Sequence, residues 1–109
     1  MNTKEQMSKI TKLCGIYAIR DTSRDKIVYV GKTGQRFIRR WCQHLIESHN
    51  GIHGNPMVAK LILLDCYRFE IIESWEYRKS DKQLLDAREK FYMNEHDTLN
   101  SGHNIQRRS

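Results

Sequence analysis

Two runs rich in β-branched and aromatic residues, CGIYAIR at 14–20 and KIVYVGK at 26–32, are separated only by the polar residues DTSRD. Runs of this length and composition read as strands, and a gap of turn-forming residues this short predicts that they pair as a β-hairpin. A hairpin alone is barely stable in water, so the rest of the chain has to cover it. Strand alternation assigns the faces: Tyr17 and Ile19 share one, Ile16 and Ala18 the other, and on the second strand Tyr29 and Gly31 point the same way.

The segments that follow have helical rather than strand periodicity. In RFIRRWCQHLIESH, residues 36–49, Phe37, Ile38, Trp41, Cys42, Leu45 and Ile46 recur at three- and four-residue spacing. This predicts an amphipathic helix stopped by Gly51, with Arg36, Arg39, Arg40, Gln43, His44 and Glu47 mainly off its apolar stripe. GIHGNP at 51–56 reads as a loop, with Pro56 opening a second helix that carries Met57, Val58, Leu61, Ile62 and Leu64. YRFEIIESW at 67–75 is a third strand. Ser80 with Gln83 matches a capping box, and the helix after it runs from about Asp81 to His96, with Leu84, Leu85, Arg88, Phe91, Tyr92 and Glu95 at helical spacing. Residues 1–13 are polar, with Ile10 and Leu13 as anchors, and form an N-terminal arm or short helix; the tail TLNSGHNIQRRS is a loop with a basic end. The expected order is β-β-α-α-β-α, an α/β (α+β) fold with a small, mostly antiparallel three-stranded sheet flanked by helices. At 109 residues the chain holds a single domain, 14–109, after the arm.

Nineteen Lys and Arg against thirteen Asp and Glu leave a formal net charge of +6, which favours a polyanionic partner such as nucleic acid over a neutral one. Cys14, Cys42 and Cys66 are an odd set without close spacing, which argues against a disulfide framework. With no leader-like run and nothing near the ~20 apolar residues of a membrane span, the expectation is an intracellular protein (cytoplasmic) with no membrane partner.

Several side chains could carry chemistry. Tyr17 and Tyr29 lie on adjacent strands and come close if their faces match. Gly31, before Lys32, allows a ligand or another backbone to approach. Arg40 and His44, four apart on a helix, share a face that suits a phosphate: a fork of donors beside a group that donates or shuttles a proton. Glu89 sits near the buried side of the last helix, where a carboxylate needs a partner or a metal, and a lone hard oxygen ligand suits Mg²⁺. Each also has a plain reading: surface tyrosines, a solvated helix face, and a Glu89 paired with Arg88 or Lys90. His44, His49 and His53 with Cys42 invite zinc, but no four-ligand set closes.

Taken in order, GIY at 15–17, YVG at 29–31, the RWxxH segment from Arg40 to His44, Glu89 in AREKFY and Asn104 in SGHNI resemble the GIY-YIG nuclease superfamily over roughly residues 14–105. The resemblance implies a metal-dependent endonuclease that hydrolyses phosphodiester bonds in DNA, as in a phage or mobile-element setting. It implies one divalent metal, Mg²⁺ or Mn²⁺, held by Glu89, and Tyr17 as general base, with Lys32 as the cation that favours its phenolate. By the same resemblance Tyr29 orients water or phosphate, Arg40 clamps the phosphate, His44 assists proton transfer or holds Tyr17, Asn104 fixes the geometry and Gly31 admits the DNA backbone. Arg36 and Arg39 compete with Arg40 for the clamp and otherwise bind substrate. The alternative on the same fold is a non-catalytic or partner-dependent nucleic-acid-binding module. Targeting would come from the domain itself, from a homodimer or from a separate protein, with Lys4, Lys9, Lys12 and the Arg107–Arg108 tail adding phosphate contacts.

Overall fold

The computed structural model describes residues 3–76, 82–98 and 102–104. Helix α1 (Thr3–Lys12) leads into strands β1 (Cys14–Asp21) and β2 (Lys26–Thr33), followed by α2 (Phe37–His49), α3 (Pro56–Leu63), β3 (Tyr67–Trp75) and α4 (Lys82–His96). After α1 the order is the expected β-β-α-α-β-α. The Ser80 capping box and the Arg107–Arg108 tail lie outside the described residues.

The sheet is antiparallel with order β2-β1-β3, so the first strand of the hairpin is central. Between the hairpin strands, Asp21 organises the turn. Its carboxylate accepts from the Ser23 amide at 2.9 Å and from Arg24 Nε at 2.9 Å. Those bonds, Ser23 first, hold its pKa down at about 2. Asp25 closes the turn in the left-handed region, φ 50°, which a short polar side chain tolerates better than a branched one.

The two sheet faces carry separate cores. On one, Tyr17, Ile19 and Tyr29 pack with Phe37 of α2 and Val58 and Ile62 of α3, and Ile10, Leu13, Trp41 and Phe69 close around them. On the other, Ile16 and Val30 pack with Leu85 of α4, bordered by Ile72, Trp75, Tyr92 and Met93. Two irregularities in the ladders, between Ile19 and Arg20 towards β2 and between Ile16 and Tyr17 towards β3, reset the alternation along the edge strands. The result is three layers, with α2 and α3 on one face and α4 on the other. Among the described residues no helix is long and apolar enough to cross a membrane.

The face of α2 is turned from the one its hydrophobic pattern predicts. Phe37, His44 and Ser48 are its buried residues, whereas Ile38 and Ile46 are exposed. The physical reason is that buried polar groups are tolerated when satisfied: Ser48 Oγ donates to the His44 carbonyl at 2.6 Å, and both ring nitrogens of His44 have partners.

Candidate active site

Strand register brings the tyrosines together. Tyr17 lies opposite Gly31, and Ile19 opposite Tyr29, so the Tyr17 and Tyr29 rings share a face with centroids 6.2 Å apart. Gly31 has a reason to be glycine that its sequence context does not show: a Cβ there would run into the ring and hydroxyl of Tyr17. The phenol lies across the space that a side chain at 31 would fill, and it is buried beneath Phe37 and Trp41.

Tyr17 Oη is 2.6 Å from His44 Nε2. His44 Nδ1 is in turn 2.7 Å from Nε2 of His53, in the loop before α3. His53 is held by the start of α3. Its Nδ1 accepts from the Asn55 amide at 2.9 Å, and the Asn55 side chain caps α3, accepting from Met57 and Val58. Asn before Pro at a helix start was a legible capping signal for that anchor. By the same resemblance as the other site residues, His53 in GIHGNP is similar to a loop histidine found in some GIY-YIG nucleases.

Burial, with Arg40 and His53 beside it, pushes the His44 pKa down to about 3, and burial first lowers His53 as well. Both rings are therefore neutral near pH 7. Tyr17 is raised well above 10, chiefly by burial and then by Tyr29, while the adjacent Arg40 guanidinium pulls the other way. Arg40 is thus the cation acting on Tyr17, and it stands half-buried where Arg36 and Arg39 are exposed.

The His44 shift has a consequence for stability. Its folded value of about 3 lies below the ordinary 6.5, so between those limits the unfolded chain binds a proton that the folded protein refuses. Stability is whole above pH 6.5 and falls with acidification, by up to about 1.4 kcal/mol per pH unit from this group. Urea midpoints should drop from pH 7 to pH 5, and His44→Gln should flatten the drop. Equal midpoints for the wild type would show that His44 is not buried neutral.

Lys32 is placed elsewhere. As the neighbour of Gly31 it points to the opposite face, where its ammonium pairs with Asp86 and lies 3.9 Å from Glu89 Oε1. Its expected role as the cation beside Tyr17 passes to Arg40. Asp86, its partner, went unnoticed in the sequence because no local pattern links it to β2. Glu89 lies on the sheet side of α4, half-buried between Leu85 and Tyr92, and Arg88 pairs with Glu73 at 2.8 Å. Gly31 and Lys32, consecutive on β2, thus face a Tyr17–Tyr29–Arg40–His44 group on one side of the sheet and an Asp86–Glu89 pair on the other.

Asn104 lies along the free edge of β2. Its carboxamide accepts from Val30 N at 2.8 Å and donates to Val30 O at 2.9 Å, in the manner of one more strand residue. His103 N donates to Val28 O, and His103 O accepts from Asn55 Nδ2 at 2.6 Å. The closing segment therefore clamps the stretch of β2 that carries Tyr29 and Gly31 to the cap that holds His53.

Among the described residues no group of three or more His, Cys, Asp or Glu side chains is gathered to hold a metal ion. Cys42 is exposed, and His44 and His53 are engaged with each other. The donor chemistry that remains is carboxylate oxygen on one side of α4, from Glu89 with Asp86 a turn before it. That set fits an ion of the Mg²⁺ type, which takes one or two carboxylates and completes its shell with water and phosphate oxygens.

A family model described as the GIY-YIG catalytic domain matches residues 13–104. Two solved structures are similar over most of the chain. One is a mutant of the catalytic domain of the intron endonuclease I-TevI, with TM-score 0.75 and 26% identity, covering 89% of this chain and 97% of that one. The other is the catalytic domain of the homing endonuclease I-TevI, with TM-score 0.73 and 27% identity, covering 86% of this chain and 99% of that one. No curated protein matches significantly.

Proposed function

Because the chain belongs to the GIY-YIG catalytic-domain family and is an endonuclease, we propose that it hydrolyses DNA phosphodiester bonds with Tyr17 as general base, Arg40 as phosphate clamp and Glu89 as ligand of a divalent metal. The observation that carries this reading is the convergence of Tyr17, Tyr29, His44 and Arg40 on one side of β2, with Glu89 reached from the same strand through Lys32. The net charge of +6 suits a DNA substrate.

In this reading Arg40 binds two phosphate oxygens through its planar fork. Tyr17, as phenolate, takes a proton from the attacking water as the new P–O bond forms. The bridging oxygen leaves with the bonding electrons and is protonated from solvent. Tyr29 hydrogen-bonds the water or the phosphate, and Asn104 keeps β2 in place. Glu89 would hold Mg²⁺ or Mn²⁺, which when bound neutralises charge developing on the phosphate. Arg36 and Arg39, exposed at the start of α2, contact the DNA backbone away from the scissile bond. The whole assembly, residues 14–109, acts as the catalytic domain, with α1 as an appendage packed on α2.

The clamp assignment separates by experiment. Arg40→Ala should lower cleavage at saturating DNA by on the order of a hundredfold or more, because it removes a donor to the transition-state charge. Arg39→Ala should weaken DNA binding and its salt dependence with little change in the saturated rate. If the two variants behave alike, Arg40 is not the clamp.

A further inference from the structure

The bond from the Asn55 amide to His53 fixes the direction of the whole Tyr17–His44–His53 chain. A backbone N–H can only donate, so His53 Nδ1, 2.9 Å from Asn55 N, is an unprotonated acceptor. In a neutral imidazole the proton is then on Nε2. That N–H is the one available for the 2.7 Å contact with His44, so His44 Nδ1 is also an acceptor. The two rings are 22° from parallel with centroids 4.9 Å apart, which keeps the contact near both ring planes, where lone pair and N–H point. His44 in turn carries its proton on Nε2, 2.6 Å from Tyr17 Oη.

We infer that His44 donates a hydrogen bond to Tyr17 and that His53 is the positioning residue which enforces it, so that His44 stabilises the Tyr17 phenolate and does not accept the Tyr17 proton. This deepens the reading of Tyr17 as base and rests on it for its catalytic consequence. With His44 donating, the phenol's own proton points away from the histidines, towards Tyr29, the less buried tyrosine through whose hydroxyl it passes to solvent. The phenolate left behind keeps the His44 N–H and faces the Arg40 guanidinium. A hydrogen bond to the charged form favours that form, which counters the burial of a phenol that must ionise to act. The anchor is rigid: Asn55 is tied to α3 by its cap bonds and to the closing segment through His103.

Other groups act on this chain as well. Tyr29 on β2 and Arg40 on α2 both bear on Tyr17, while Glu47 on α2 bears on His53 and Arg40. None of them sets the direction of the bonds, because none holds an imidazole nitrogen of His53 as the Asn55 amide does.

The direct test is the tautomer of each ring, read by long-range ¹H–¹⁵N correlation on histidine-labelled protein at pH 7. The expected spectrum shows His44 and His53 neutral, each protonated on Nε2. A His44 protonated on Nδ1, or an imidazolium, overturns the inference. This readout does not depend on Tyr17 being the base, so failure of that reading and failure of this one are distinguishable. The kinetic test compares His53→Ala with His53→Gln, whose amide N–H can still donate to His44. His53→Ala should cut cleavage about tenfold near neutrality and move the rising limb of the pH–rate profile up by about one unit, since a weaker donor raises the phenol's pKa. His53→Gln should restore most of both. A rate loss in His53→Ala that is equal at every pH means that His53 only supports the loop, and overturns the inference.

Discussion

Replacing Glu89 with alanine is expected to lower DNA cleavage by on the order of a thousandfold or more while DNA binding changes little, because the metal-bound charge stabilisation it anchors is needed only in the transition state. Glu89 lies on the sheet-facing side of α4, 3.9 Å from the Lys32 ammonium, and Asp86 is the neighbouring carboxylate on that helix. Asp86 already pairs with Lys32, so it is poorly placed to substitute. Removing one partly exposed negative charge does not weaken a basic surface towards DNA. The check is a pair of measurements on one preparation, cleavage in Mg²⁺ and binding by anisotropy. Near-wild-type cleavage by the variant would remove Glu89 from the site.

Tyr17→Phe should reduce the single-turnover rate by about 10²–10⁴-fold, the usual share of a general base. Tyr29→Phe should cost less than about tenfold if the Tyr29 hydroxyl only orients its partner by hydrogen bonding. The comparison is clean because Phe preserves the ring that fills the space over Gly31 and packs on Phe37 and Trp41. What is lost is the oxygen 2.6 Å from His44 Nε2. Leaving that buried donor unmatched costs about 1–3 kcal/mol of stability, so the fold of the variant should be checked by circular dichroism. Burial raises Tyr17 well above 10, and a base works deprotonated, so the wild-type rate should climb with pH through the neutral range. Equal losses from the two tyrosines would contradict the assignment of Tyr17 as base.

The hairpin, the third strand and the element order were legible because each rests on local periodicity and turn chemistry. The strand expected at 67–75 is β3, Tyr67–Trp75. The inner face of α2 was not legible. Ile38 and Ile46 look like core residues and are exposed, while His44 and Ser48 look like surface and are buried. Hydrophobic spacing cannot register a polar side chain whose partners come from 9 and 27 residues away, as those of His44 do. Lys32 shows a different limit. Its place after YVG suggested company for Tyr17, but strand alternation turns it to the other face, a consequence that the sequence already contained. Asn104 was found only by resemblance, since a carboxamide pairing with the edge of β2 leaves no local mark.

The central claim is that this chain cuts DNA through a metal-dependent site containing Glu89. The most direct measurement incubates supercoiled plasmid with the purified protein in Mg²⁺, with EDTA in place of Mg²⁺, and with Glu89→Ala in Mg²⁺. Nicked or linear product from the wild type with metal alone is the predicted result. Absence of product from the wild type on plasmid, and again on branched and single-stranded DNA, would contradict the account.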